Sequence, residues 1–415
     1  KEDLTNRDGR NDSLVCADVF DRRKGIKKVE CYLDNAATTQ AYEDVCELVA
    51  EVMREDYGNP SSLHMKGVEG EKYVREAADR IAKTLKCQRK NIVFSSGGTE
   101  SNNTALIGTA LANKRRGRRI LTTCFEHASV HEPLIYLESM GFQVEYLPVD
   151  EQGHLRAETL KEALTEDTIL VSVMMVNNEI GSILDVQELA KVVKDFDPQI
   201  VFHVDAIQAY GKMKIQPAKW QIDLMSVSGH KIHGPKGTGF LYMKDGTKIH
   251  PYIHGGGQQQ GMRSGTENVP GIAGLGLAAA KMDASLTERR EYLYGLKRYF
   301  VKKLEAMEGV TVNGVQGEEL EQTAPHIVSA SFQGVRSEVL LHALEDKQIY
   351  VSSGSACSSN HPGISGTLVA IGVPKELLDS TLRFSFSEFT TKEQLDYTLE
   401  QLEKLLPVLR KFTRR

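Results

Sequence analysis

The sequence predicts an α/β protein built on a mostly parallel seven-stranded sheet, together with a smaller α+β unit. Between residue 70 and about residue 287, short β-rich runs alternate with helical segments. This alternation is typical of βαβ units, in which helices cover both faces of the sheet. The runs expected to form the large sheet are 92–94, 120–123, 144–147, 169–174, 200–204, 224–227 and 239–242.

The C-terminal part of the chain has a different, mixed spacing of elements. It is expected to hold helices over 288–307, 337–344 and 391–406 and strands over 310–312, 326–332 and 383–387. We therefore predict a polar N-terminal extension over residues 1–29 and a large domain over 42–287. Residues 30–41 are expected to join 288–415 in the small α+β domain.

Composition excludes several classes of protein and partner. Lys and Arg number 51 against 56 Asp and Glu, a formal net charge of -5 with neutral His, which argues against nucleic acid as a direct partner. The longest apolar runs are shorter than the roughly 18 residues of a membrane span, so no membrane partner is expected. The six cysteines form no CxxC pair and no zinc-binding spacing, which predicts a cytoplasmic protein without a metal site.

Two strand ends carry residues that suit Schiff-base chemistry. Lys231 closely follows the strand 224–227 among small residues, where its amine could be desolvated and neutral. Asp205 directly follows the strand 200–204, and enzymes that use pyridoxal 5'-phosphate (PLP) combine a lysine with an acid on the ring nitrogen. Taken singly, Lys231 could be a surface lysine in a turn and Asp205 a helix cap. The pair favours a PLP site.

A turn rich in small residues predicts a place for the cofactor's phosphate. The segment 95–101, SSGGTES, lies between a strand and a helix that begins near Glu100. Small residues let backbone N–H groups approach an anion, and the helix dipole favours a phosphate there. A plain capped turn explains this segment equally well. His127, after the strand 120–123, adds an imidazole at the same sheet edge.

In order along the chain, the motifs resemble those of the PLP-dependent cysteine desulfurases, the NifS/IscS-like group of fold-type-I, class V aminotransferases. The resemblance covers nearly all of residues 30–410. The motifs that carry it are YLDNAATT at 32–39, GNPSS at 58–62, SGGTE at 96–100, VNNEIG at 176–181, the Asp205 and Lys231 segments, RSGT at 263–266 and RFS at 383–385.

The resemblance implies roles around the cofactor ring. Lys231 would form the Schiff base with PLP, and Asp205 would keep the ring nitrogen protonated. Gln208 and Asn178 would contact the oxygen side of the ring, and His127 would stack on it and take part in catalysis. The implied fold is therefore that of a fold-type-I PLP transferase.

The same resemblance implies a phosphate site shared between subunits. Thr99, Ser228 and His230 would bind the phosphate together with the backbone of Gly98. Thr266 would reach the phosphate of a neighbouring subunit, which implies a homodimer.

On the substrate side, the resemblance implies that Asn35, Asn178 and Arg383 bind L-cysteine. Cys357 lies in the segment VSSGSACSS at 351–359, which resembles the catalytic-cysteine loop of the family. A thiol among small residues is accessible as a nucleophile, whereas a single cysteine is more often an inert buried residue. The expected reaction converts L-cysteine to L-alanine and leaves a persulfide on Cys357. An acceptor such as an iron–sulfur scaffold or a tRNA-thiolation enzyme would then take the sulfur.

Three departures from the family pattern keep alternatives open. Glu388 stands where the family has a second arginine, Gln259 and Gln260 replace a common Glu-Arg pair, and the loop tip at 360–366 differs. One alternative is a selenocysteine lyase or another class V PLP enzyme. The other is a weakly active protein that keeps PLP and binds partners.

Overall fold

A computed structural model describes residues 30–315, 317–353 and 364–412. The polar extension over 1–29 and Cys357 therefore lie outside the described residues. The strands of the described part are β1 (Cys31–Tyr32), β2 (Ile92–Ser95), β3 (Arg119–Thr123), β4 (Gln143–Leu147), β5 (Thr168–Met174), β6 (Val201–Asp205), β7 (Leu224–Ser228), β8 (Gly239–Met243), β9 (Val310–Val312), β10 (Ile327–Phe332), β11 (Ile349–Tyr350), β12 (Ser352–Ser353) and β13 (Thr381–Ser385).

The helices alternate with the strands of the large sheet and then enclose the smaller one. Those of the described part are α1 (Glu43–Arg54), α2 (Met65–Leu85), α3 (Gly98–Asn113), α4 (Ala128–Ser139), α5 (Ala157–Ala163), α6 (Val186–Phe196), α7 (Val269–Ala284), α8 (Leu286–Glu305), α9 (Ser337–Glu345), α10 (Gly366–Ala370) and α11 (Lys392–Leu409). None of these helices is both long and apolar enough to cross a membrane.

The large sheet has seven strands in the order β2-β8-β7-β6-β5-β3-β4. Strand β8 runs antiparallel to β2 and β7, and the remaining pairs are parallel, which confirms the predicted mostly parallel sheet. Every residue of β5, β6 and β7 is buried, because helices cover both faces of these central strands. The carboxyl ends of β5, β6 and β7 therefore meet at one edge of the sheet.

A second sheet of four strands, in the order β12-β13-β10-β9, has its own hydrophobic core. Its strands pack with α8, α9 and α11 around Phe300, Phe332, Phe384 and Phe386. Leu33 joins this core, since β1 pairs in parallel with β11. These contacts support the predicted division into two domains, which stays a prediction.

One strand of the small sheet lies two residues earlier than expected. The sequence predicts a strand over 383–387, whereas β13 ends at Ser385 and pairs with β10 from Thr381 onwards. After Ser385 the chain turns, with the Thr390 amide donating to the Ser387 carbonyl. The shift leaves Arg383 in the middle of β13, where the neighbouring strands β10 and β12 pair with it on either side.

Candidate active site

A cavity of about 360 Å³ opens at the edge where the central strands of the large sheet end. Strand β6 ends at Asp205 and β7 at Ser228, while α3 begins at Gly98. Parallel strands bring such ends together, so the residues that follow them share one crevice. The predicted site residues that line it are Gly98, Thr99, His127, Asn178, Asp205, Gln208, Ser228, His230, Lys231 and Arg383.

Lys231 sits in a single helical turn, 229–231, that directly follows β7. Its Nζ donates hydrogen bonds to the carbonyl oxygens of Ala36 and Ala37, each at 2.6 Å. Gln208 Nε2 donates to the same Ala36 oxygen at 2.8 Å. The loop after β1 therefore holds the lysine amine at the wall of the cavity.

Asp205 is a buried carboxylate, 4% exposed, that lines the cavity. Its Oδ1 accepts from the amide of Ile207 at 3.0 Å, and its Oδ2 accepts from Asn102 Nδ2 at 2.8 Å. Burial raises the pKa of Asp205 above its usual value, while these two hydrogen bonds oppose that rise by favouring the anion. An acid in this position suits a cationic ring nitrogen.

His127 is the N-cap residue of α4, and its hydrogen bonds fix the position of its proton. Ring atom Nδ1 accepts from the Ser129 amide at 3.0 Å and lies 2.8 Å from Ser129 Oγ. Because a backbone N–H can only donate, Nδ1 is unprotonated, and neutral His127 carries its proton on Nε2. Burial lowers the pKa of His127 below its usual value, which favours this neutral form.

The start of α3 provides a cradle for an anion. A Cβ on Gly98 would lie 2.2 Å from Ile207 Cδ1, so a larger residue here would have to displace the Ile207 side chain. Thr99 and Ser228 bring hydroxyl groups to the same cavity, and helix N-termini bind phosphates. Burial lowers the pKa of His230 to about 4, which makes it a neutral hydrogen-bonding group.

Taken together, these donors fit PLP. A helix N-terminus with hydroxyl groups matches its phosphate, a buried acid matches its ring nitrogen, and a lysine amine matches its aldehyde. Residues of all three features line the cavity.

Arg383 lies on β13 of the small sheet, and its guanidinium is nearly buried. Its Nη1 donates to the carbonyl oxygen of Asn178, and its Nη2 donates to Asp34 Oδ1, both at 2.8 Å. Its Nε is buried without a partner among the described residues. The strand presents Arg383 to the cavity because residues alternate along β13, where Leu382 and Phe384 face the small core instead.

Two of the predicted site residues lie outside this cavity. Asn35 is buried, and its Nδ2 donates to the carbonyl oxygens of Tyr32 at 3.1 Å and Ser385 at 3.0 Å, which ties the chain after β1 to β13. Thr266 is exposed at the surface. Their roles, and that of Cys357, stay predictions.

Sequence reasoning missed three residues that contact the predicted ones, namely Asn102, Ser129 and Asp34. Asn102 links Asp205 to Ser129, since its Nδ2 also donates to Ser129 Oγ at 2.9 Å. Asp34 pairs with Arg383. Asp34 could have been noted as an acid within the YLDNAATT motif, whereas Asn102 lies inside a helix and gives no signal of its own.

The structure explains two departures from the family pattern. Glu388 forms an ion pair with the buried Arg289, whose Nε lies 2.8 Å from Glu388 Oε2. Gln259 caps the edge strand β2, because its side-chain amide accepts from the Phe94 amide at 2.5 Å and donates to the Phe94 carbonyl at 3.0 Å. Both residues therefore make defined structural contacts.

Comparison with known proteins agrees with the fold-type-I PLP class that this cavity defines. The aminotransferase class-V family model matches residues 31–398. The cysteine desulfurase IscS of Dictyoglomus turgidum is 44% identical over 384 residues, covering 92% of this chain and 96% of that protein. The cysteine desulfurase IscS of Methanosarcina thermophila is 40% identical over 379 residues, covering 91% and 92%.

Solved structures give the same result. A NIFS-like protein superposes with a TM-score of 0.86 at 37% identity, covering 92% of this chain and all of that one (100%). A NifS-like protein from Rickettsia africae has a TM-score of 0.82 at 28% identity, covering 91% and 100%. The chain therefore belongs to the cysteine desulfurases of the aminotransferase class-V family, which are PLP-dependent enzymes. The predicted fold class and cofactor are confirmed.

Proposed function

We propose that the protein converts L-cysteine to L-alanine and leaves the substrate sulfur on Cys357 as a persulfide. The observation that carries this proposal is the presence of Lys231, Asp205 and Arg383 in one cavity. A lysine amine, a buried acid and a carboxylate-binding guanidinium are the groups that PLP chemistry on an amino acid requires.

Residues of the large sheet would hold the cofactor and move protons. When bound, PLP supplies an electron sink for the bond electrons of the substrate Cα. Lys231 would hold PLP covalently and, as a free amine, take the proton from Cα. Asp205 would keep the ring nitrogen protonated, and the start of α3 would hold the phosphate. His127, with its proton on Nε2, would offer a hydrogen-bond donor to the cavity.

Arg383 of the small sheet would bind the substrate, and Cys357 would receive the sulfur. Arg383 would hold the carboxylate through its planar fork. The thiolate of Cys357 would attack the substrate sulfur, so that an S–S bond forms, the C–S bond breaks and its electrons stay with the carbon fragment. Two proton additions would then yield alanine. Ser352, five positions before Cys357, lines the cavity, which supports delivery of the thiol from this side.

We further propose a cytoplasmic homodimer that passes sulfur to an acceptor protein, such as an iron–sulfur scaffold or a tRNA-thiolation enzyme. The exposed position of Thr266 suits a residue that completes a neighbouring subunit's phosphate site. The large apolar side chains of Tyr57, Leu63 and Met65 are also exposed and would be covered by a second copy. Sedimentation over a dilution series tests this assembly by following the dimer as the protein is diluted. Dissociation of the dimer should also release PLP.

A single incubation tests the proposed reaction. Purified protein with L-cysteine should release alanine, and alkylation should locate the extra sulfur on Cys357. The Cys357→Ser variant should keep PLP but form neither persulfide nor appreciable alanine, while Cys124→Ser serves as an exposed-cysteine control. A persulfide on another cysteine contradicts the assignment. Higher turnover of selenocysteine, or a requirement for a keto acid, would favour the other class V activities.

A further inference from the structure

Asp34 places a carboxylate beside the guanidinium that is proposed to bind the substrate. Its Oδ1 accepts from Arg383 Nη2 at 2.8 Å, and both residues line the cavity. The Asp34 side chain is 21% exposed, against 7% for that of Arg383, so the acid is the more open member of the pair. None of the roles proposed above uses this carboxylate.

Holding Arg383 in place does not account for Asp34 by itself. The guanidinium already has a second anchor, because Nη1 donates to the carbonyl oxygen of Asn178 at 2.8 Å. The other carboxylate oxygen of Asp34, Oδ2, accepts no hydrogen bond from the described part of the chain. An acceptor with negative charge therefore remains available at the cavity wall.

The two charges together are complementary to a free amino acid. At neutral pH, L-cysteine carries a carboxylate and an ammonium group on the same carbon atom. Arg383 and Asp34 present the opposite charges within hydrogen-bonding distance of one another, so one substrate molecule could contact both. Burial raises the pKa of Asp34 above its usual value, whereas the charges of Arg383 and Lys231 oppose this rise and favour the anion.

We propose that Asp34 accepts a hydrogen bond from the α-ammonium group of the incoming amino acid while Arg383 holds its carboxylate. The inference rests on the proposed role of Arg383 as the carboxylate site. It makes Asp34 a specificity residue that selects zwitterionic amino acids over acids of the same length without an amino group. No covalent step is involved.

Two ligands that differ only in the ammonium group separate this role from a structural one. L-alanine and propionate are titrated by calorimetry at pH 7 into the wild type and the Asp34→Asn variant, both with the Lys231–PLP linkage first reduced by borohydride so that L-alanine cannot form a Schiff base with the cofactor. Asparagine keeps an oxygen for Arg383 Nη2 but removes the negative charge. The affinity for L-alanine should fall about 10- to 100-fold, the range for a hydrogen bond to a charged group, while the affinity for propionate stays the same or rises.

The kinetic counterpart is a rise in KM for L-cysteine with little change in kcat. Arg383→Lys is the matched control and should weaken the binding of both ligands, because a point charge cannot replace the planar fork. Equal losses for both ligands in Asp34→Asn would mean that Asp34 only orients Arg383, and no loss for either would also overturn the proposal. If the wild type makes no alanine from cysteine, the proposed reaction fails, but the comparison of the two ligands still decides the role of Asp34.

Discussion

The two larger sheets of the described part of the chain are stabilised in different ways. At the edge of the large sheet, polar groups such as Asp205, His127 and Asn102 are held by hydrogen bonds to one another and to the backbone. The small sheet is held by aromatic packing, in which the ring of Phe300 lies 5.1 Å from that of Phe384 and 5.6 Å from that of Phe386. Such edge-to-face pairs are apolar contacts that do not depend on charge.

This difference shows how the fold separates chemistry from stability. Strand β13 contributes to both the cavity and the aromatic core, because alternate side chains along it place Arg383 toward the cavity and Phe384 into the core. Adjacent residues can therefore be changed with opposite consequences. Changes at the cavity should alter catalysis while the protein stays folded, and changes in the aromatic core should do the reverse.

The largest expected effect is at Lys231. Lys231→Ala should lower the rate of alanine formation by about 10²- to 10⁴-fold, the range for a positioned acid–base group, because Lys231 is the lysine of the described residues that lines the cavity and would take the Cα proton. The melting temperature should change little. Steady-state kinetics and thermal unfolding measure the two outcomes. Lys219→Ala, at an exposed lysine, is the control and should behave like the wild type. A comparable rate in both variants would contradict the role of Lys231.

On the other side of the comparison, Phe384→Ala should lower the free energy of unfolding by about 3–5 kcal/mol, as for other buried aromatic truncations. Phe384 is fully buried, and its ring contacts both Phe300 and Phe332. Below the melting temperature, kcat should stay close to that of the wild type because Arg383 keeps its hydrogen bonds. Chemical denaturation gives the stability, with the exposed Val339→Ala as control. Full stability of Phe384→Ala would mean that this core can repack.

Sequence reasoning reached the residues whose position follows from a strand end. Lys231 follows β7, Asp205 ends β6 and Gly98 begins α3, so the shared sheet edge could be predicted from the sequence. Arg383 required the resemblance to a known family, since nothing in its local pattern shows that β13 approaches the large sheet.

The contacts missed from the sequence come from residues that act across the fold. Asn102 lies 103 positions from Asp205 along the chain, and its amide meets that carboxylate only because α3 packs over the sheet. The ion pair between Arg289 and Glu388 spans 99 positions. Neither residue type nor spacing predicts such pairs in a single sequence.

Asn102 gives the smallest and most specific prediction. In Asn102→Ala, Asp205 loses the hydrogen bond that favours its anion, so the already raised pKa of Asp205 should rise further. Activity that needs ionised Asp205 should then be lost at a higher pH than in the wild type. On the low-pH side of the pH profile, the acid limb, kcat/KM of the variant should be about tenfold below that of the wild type, which corresponds to one charged hydrogen bond. The difference should disappear as the pH is raised.

A control in the same network distinguishes this electrostatic effect from a loss of structure. Ser129→Ala removes the hydroxyl that Asn102 and His127 share but leaves the bond between Asn102 and Asp205 intact. It should therefore lower activity without moving the acid limb. If Asn102→Ala instead lowers kcat/KM equally at every pH, the amide supports packing of α3 alone. If both variants move the limb to the same extent, the titration belongs to His127, and the charge that governs the pH dependence of this cavity is on the imidazole.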